Sequence, residues 1–269
     1  MKTLRNHTII YDDECPLCDA YTTVFIRTKM LDDNGRTPFS NYNFAACPNL
    51  DEVRACNEIA LVDNSTGEIT YGVNSLVKIL SARFPFINRI MEFPLSQWIA
   101  TRLYRFVSYN RKVIVPGAKT TSVCTPSFNT KYRISYILFA CVLSALVLHL
   151  YSRTLDAIVP GSTLGRELLI CGGQILFQAL YLLIFSRGKI ISYLGNMMTV
   201  SLGGVVLLIP PMVIGDIFDA GAIYFLISFF LVVMLMFSEH VRRVKLLELH
   251  WSVSLSWIVY RLLILAAII

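Results

Sequence analysis

The second half of this chain limits its fold more than any other feature. Residues 133–269 are nearly continuous apolar sequence, whereas residues 1–132 read as a polar-surfaced globular segment. A helix needs about 20 apolar residues to cross ~30 Å of hydrocarbon. Runs near that length occupy 134–151, 168–185, 190–214 and 217–237, and a fifth, 251–269, carries one arginine. An all-α bundle of about five transmembrane spans follows. At 55% hydrophobic the 269 residues as a whole are too apolar for an ordinary soluble domain. The formal charge of +6 does not call for nucleic acid, because the basic residues serve as membrane flanks.

Those flanks predict an orientation. Arg111, Lys112, Lys119, Lys131, Arg133, Arg187, Lys189, Arg242, Arg243 and Lys245 lie on the side of the amino-terminal segment, against Arg153 and Arg166 opposite. Ten against two is a strong positive-inside bias. With no apolar h-region behind the opening residues, no signal peptide is expected. The reading is a multi-pass protein of the inner or plasma membrane, its amino-terminal domain in the cytoplasm.

Seven cysteines with one close pair do not form a secreted disulfide framework, and they suit a reducing compartment. In the spans, Cys141 and Cys171 are placed at different depths and should not meet. His149 is placed at the outer end of the first span, with His240 and His250 flanking the inner side, which disfavours a haem held between helices. Arg261 falls near the middle of the last span, where insertion costs about 2.5–3.5 kcal/mol. It is read either as a structural contact to Gln174, Gln178 or Asn196, or as an anion or quinone site.

The amino-terminal segment opens on "TIIYDDECPLCDAY". A strand over 8–11 leads into a helix over 16–31, with Tyr21, Val24, Phe25, Thr28 and Leu31 on one face. "TPFSNYNF" gives a strand and "LDEVRACN" a short helix or loop. A hairpin follows around "NSTG", then a helix capped by Asn74 or Ser75. That order is thioredoxin-like, with Cys15 and Cys18 at the first strand-to-helix junction. Helix-start amides stabilise a thiolate, and only the thiolate attacks a disulfide. Cys15, the more exposed, would attack and Cys18, one turn on, would resolve. Pro16 suits the first turn. Asp12, Asp13 and Glu14 oppose thiol ionisation, so a thiol less acidic than in strong oxidants is expected, as suits a reductant.

These residues resemble the DCC thiol-disulfide oxidoreductases, whose D-x-x-C-x-x-C is met here by Asp12, Cys15 and Cys18. The resemblance continues through "IALVDNSTGEITYGVNSLVKIL" and "RLYRFVSYNRK" and spans roughly residues 6–112. It implies thiol-disulfide exchange without naming a substrate. Asp13 stands where the family usually has Gly. Cys56 and Asn57 stand where thioredoxin-like proteins place a proline before the third strand.

The rivals are an inert cysteine pair and a zinc site completed by Cys47 and Cys56, whose spacing does not repeat a C-x-x-C knuckle. Cys56 is otherwise expected near the redox pair or simply buried, and Cys124 in a Ser/Thr-rich linker has no role. In "LSQWIATRLYRFVSYNR", Leu95, Trp98, Ile99, Leu103, Phe106 and Val107 share one helical face. That face lies on the membrane surface or packs on the domain core. The reading is therefore a thioredoxin-like domain over 1–112, a linker over 113–132 and a transmembrane domain over 133–269. Cys15 and Cys18 are its redox pair, Asp12 its proton mover, and Cys56 and Arg261 secondary candidates. No metal or cofactor is expected. The partners are a protein or small-molecule disulfide, the bilayer and, if electrons pass to it, a membrane quinone. The alternative function is a non-catalytic carrier, assembly factor or redox sensor.

Overall fold

The computed structural model describes residues 3–117, 124 and 126–268; Lys119, with the rest of 118–123 and 125 in the expected linker, and Ile269 lie outside the described residues. The chain divides into two compact units, Met1–Tyr132 and Arg133–Ile269.

In the first unit the elements run β1 (His7–Tyr11), α1 (Pro16–Arg27), β2 (Arg36–Pro38), α2 (Glu52–Asn57), β3 (Ala60–Asp63), β4 (Ile69–Tyr71), α3 (Val73–Arg83), α4 (Phe86–Met91) and α5 (Pro94–Ile114). The sheet order is β2-β1-β3-β4, with β1 parallel to β2 and antiparallel to β3. The chain thus adopts the thioredoxin-like arrangement. Successive residues of a strand point to opposite faces. Ile9 accordingly packs with Phe25, Leu31, Leu61 and Ile79, whereas Ile10 packs with Phe39, Leu50, Ala60 and Val62. A strand buried on both faces sits at the centre of the sheet, and this fixes where β1 delivers the cysteines.

Three local expectations need correction. Helix α1 stops at Arg27 rather than 31, because Lys29 turns left-handed (φ 55°). The amide of Met30 then bonds back to the Phe25 carbonyl at 2.9 Å, closing a Schellman turn. The strand expected over "TPFSNYNF" is only Arg36–Pro38, followed by single 3-10 turns at Phe39–Asn41 and Phe44–Ala46. Helix α3 is capped by Gly72, not by Asn74 or Ser75; Ser75 instead donates to the Thr70 carbonyl at 2.6 Å. Gly72 has φ 62°, and a Cβ there would press on Glu58 and Tyr104.

Helix α5 turns a polar stripe to the domain. Tyr104 Oη accepts from the Ile59 amide at 2.9 Å, and Ser108 Oγ donates to the Asn57 carbonyl at 2.6 Å. The apolar face does not pack on the core: Leu95, Trp98, Ile99, Leu103 and Val107 are all exposed. The core-packing alternative for this face is overturned, since buried Ser108, Asn110 and Arg111 occupy the docked side.

The second unit contains α6 (Thr130–Ser152, beginning just before it), α7 (Leu164–Phe185), α8 (Ile190–Ile217), α9 (Ala222–Leu246) and α10 (Ser252–Ile268). Four helical segments are long and apolar enough to cross a membrane, and α10 is a shorter apolar helix. Small residues let helices approach closely. Gly204 faces Met236 and Gly215 faces Phe225, leaving no room for a Cβ where α8 meets α9.

Two placements differ from expectation. Helix α9 runs past Phe237 to Leu246, so His240 lies inside the helix, buried, with Nε2 2.9 Å from Tyr193 Oη. Because α7 begins at Leu164, Cys171 lies nearly two turns inside it and packs against the apolar cluster that contains Cys141; the two do not join, and both remain free thiols. Arg261 bonds to none of Gln174, Gln178 and Asn196. Gln178 accepts from Tyr193 and Ser256, and Asn196 accepts from Arg243 at 2.9 Å.

Candidate active site

The end of β1 and the start of α1 are joined by Asp12, Asp13 and Glu14, and Cys15 is the residue that caps α1. Its Sγ accepts the amide of Cys18 at 3.3 Å, the bond that a serine or aspartate makes at an ordinary helix start. Pro16 takes the first helical position, where a missing amide proton costs nothing. The Cys18 thiol donates to Cys15 Sγ at 2.8 Å. The two sulfurs therefore need to close by less than about 1 Å to reach a disulfide bond length near 2.05 Å.

The two thiols are electrostatically unequal. The Cys18 thiol hydrogen bond, helped by the Cys18 amide and the charge of Arg111, lowers the pKa of Cys15 to about 7 against the opposing effects of burial and Asp12. The same bond to the Cys15 sulfur, together with burial, pushes Cys18 far up. Cys15 thus ionises first while Cys18 holds its proton. Asp12 does oppose that ionisation, as the sequence predicts, but it is not the deciding charge.

The reason is Arg111, which the sequence presents as a membrane-flanking charge within a family-like segment. Its Nη2 donates to Asp12 Oδ2 at 2.9 Å and to the Cys56 carbonyl at 2.7 Å, and its Nη1 donates to the Asn57 carbonyl at 3.3 Å. The carboxylate nearest the thiols is therefore held in a buried ion pair. Its only sequence signal is its place in "RLYRFVSYNRK". The same contacts explain the missing proline before β3. Side chains of α5 satisfy the backbone of Cys56, Asn57 and Ile59, leaving that segment bound to the domain's own helix.

Two further expectations fail. Cys15 is not the more exposed thiol: it is 0% exposed and Cys18 3%. Tyr11, Leu17 and Tyr21 wall the pair. Gly117, beyond the end of α5, lies so close that a Cβ there would collide with the Glu14 carbonyl and touch Pro16. Cys124 is not without a role: it forms a disulfide with Cys56, which is buried as expected, with Cα atoms 5.3 Å apart. The Cys124 sulfur also lies 3.9 Å from Arg111 Nη2, so the linker cysteine without an expected role borders the site.

A family model described as DCC1-like thiol-disulfide oxidoreductase matches residues 9–115. The amino-terminal unit carries a DCC1-like domain. No curated protein and no solved structure matches the chain. The DCC1-like match begins in β1 and ends one residue past α5, so it takes in both cysteines, Asp12 and Arg111.

Proposed function

We propose that the chain is a membrane-anchored thiol-disulfide oxidoreductase whose DCC1-like domain faces the cytoplasm. The observation that carries this reading is Cys15 as the cap of α1 with the Cys18 thiol 2.8 Å away. In the proposed reaction the Cys15 thiolate attacks one sulfur of a substrate disulfide. A mixed disulfide forms and the first substrate thiolate leaves. Cys18 then gives up its proton, by way of Asp12 or the departing thiolate, and attacks Cys15 Sγ. The second substrate thiolate leaves, the substrate is reduced by two electrons, and the Cys15–Cys18 disulfide awaits a dithiol donor. Arg111 favours the thiolate form of Cys15 and holds Asp12 in place.

Burial of Cys15 sets a condition on this chemistry. A disulfide reaches it only when the residues around Gly117 and Tyr21 give way, which favours small-molecule disulfides or a narrow extended segment. The cytoplasmic assignment is supported by the flanking charges. The bias survives the loss of Arg111, which belongs to the domain interior. A quinone acceptor is not required by this geometry; reduction of added quinone by the dithiol form is its test.

A redox sensor is the second reading, favoured by the sealed Cys15 and by the Cys56–Cys124 disulfide beside Arg111. Disulfides in a reducing compartment are usually transient, catalytic or sensing. Turnover separates the two readings. The full chain in detergent should catalytically reduce a small aromatic disulfide in the presence of a dithiol donor, and Cys15→Ser should abolish this. A single stoichiometric burst without turnover would favour the sensor.

A further inference from the structure

Helices α6 to α10 enclose a cleft of about 540 Å³ whose walls are almost wholly apolar, with Leu148, Leu208, Phe229, Met236 and Ile264 among them. Three charged residues line it, Arg166, Glu167 and Arg261. The first two neutralise each other: Arg166 Nη2 lies 3.3 Å from Glu167 Oε1, which also accepts from Ser162 Oγ at 2.6 Å. Arg261 has no such partner. It makes no hydrogen bond and no ion pair among the described residues, and its Nε is buried. Its guanidinium rests on the face of Trp257, 3.9 Å from the ring centroid.

A second orphan donor lines the same cleft. Gln174 on α7 is 5% exposed, and its Nε2 is likewise buried without a partner. Tyr260, the neighbour of Arg261 on α10, donates to the Ile170 carbonyl of α7 at 2.8 Å, which fastens the two donor-bearing helices together. Buried donors are nearly always satisfied, and an unneutralised charge inside a membrane bundle points to a ligand or pathway. The volume is that of a small-molecule site.

The geometry points to a binding site for a single-chain amphiphile with an anionic, acceptor-rich head, a fatty carboxylate or a lysophosphate. The head would accept from Arg261 and Gln174 and neutralise the guanidinium, and the chain would lie along the apolar walls. A neutral head would satisfy the donors but leave the charge uncompensated, so the anion is favoured. This site is independent of the thiol chemistry.

Trp257 reports on it directly. In the full chain carrying Trp98→Phe and Trp251→Phe, both at exposed positions, Trp257 is the remaining tryptophan. The probes are a dibrominated stearate, its methyl ester, a brominated lysophosphatidate and a short-chain quinone, each titrated in zwitterionic nanodiscs. Saturable quenching by the stearate or the lysophosphatidate is expected, and which of the two saturates first names the source. Half-saturation should lie at least about tenfold below that of the methyl ester and the quinone, a difference that Arg261→Gln removes and Arg261→Lys retains. Equal quenching by acid and ester, or quenching by no probe that saturates, overturns the proposal. The acid-to-ester comparison needs no change at Arg261 and stands even if Arg261→Gln fails to fold.

Discussion

Arg111 Nη2 lies 2.9 Å from Asp12 Oδ2 across 99 residues of sequence, and neither side chain is more than 5% exposed. The pair fastens the last helix of the DCC1-like domain to the turn that carries the cysteines. Removing one member of a buried pair strands the other charge, at a cost of about 3–5 kcal/mol. Arg111→Gln should therefore lower the melting temperature of the amino-terminal unit sharply. The double change Asp12→Asn, Arg111→Gln should recover part of the loss. Thermal unfolding of the full chain with a thiol-reactive dye reads this, and independent, additive losses would count against the pairing.

The same two residues adjust a pH response that the Cys18 thiol hydrogen bond sets first. With its pKa lowered to about 7, Cys15 is half thiolate near that pH, so disulfide reduction should fall away as pH drops through about 7. Arg111 favours the thiolate and Asp12 disfavours it. Arg111→Gln should therefore move the midpoint of the rate profile upward, and Asp12→Asn should move it downward. Stopped-flow reduction of an aromatic disulfide between pH 5 and pH 9 distinguishes the signs. Shifts of the same sign would remove the electrostatic assignment.

The Cys56–Cys124 disulfide spans 68 residues. Closing a loop of that length restricts the unfolded chain by roughly 4 kcal/mol. Changing both cysteines to serine should destabilise the amino-terminal unit by an amount of that order. It should leave the Cys15–Cys18 dithiol in place, as differential alkylation with mass spectrometry would register. Unchanged stability would contradict that contribution, and free thiols at Cys56 and Cys124 on alkylation of the non-reduced protein would show the bond to be absent.

Much of this was readable from residue order. The double-sided apolar run "TIIY" marks a central strand, "NSTG" a hairpin, and the cysteines fall at the cap of α1 because Pro16 can only begin a helix there. What the sequence concealed is long-range. Arg111 looks like any basic residue beside a membrane until α5 folds back on the domain and brings it to Asp12. Cys56 and Cys124 gave no spacing signal, since their partnership depends on where the chain after α5 returns. The burial of Cys15 is hidden for the same reason: a helix start is normally open, and here Gly117 lies against it.

The exposed apolar face of α5 makes a separate prediction. Leu95, Trp98 and Leu103 are each more than half exposed, with Arg102 packed over the Trp98 ring. In a chain whose other unit supplies four candidate spans, such a face suits the headgroup boundary of the same bilayer. In nanodiscs containing brominated lipid, the emission lost on Trp98→Phe should be a strongly quenched component. An unquenched Trp98 component would mean that the face stays in water.

A redox titration of the full chain tests most directly whether the Cys15 and Cys18 sulfurs act as one couple. Equilibration against dithiol–disulfide buffers, acid quenching and mass mapping of alkylated cysteines should show Cys15 and Cys18 gaining and losing two electrons together, reversibly. Cys18→Ser should accumulate a mixed disulfide on Cys15. If Cys15 and Cys18 remain thiols across the whole range, and no adduct forms on Cys15, the account is contradicted.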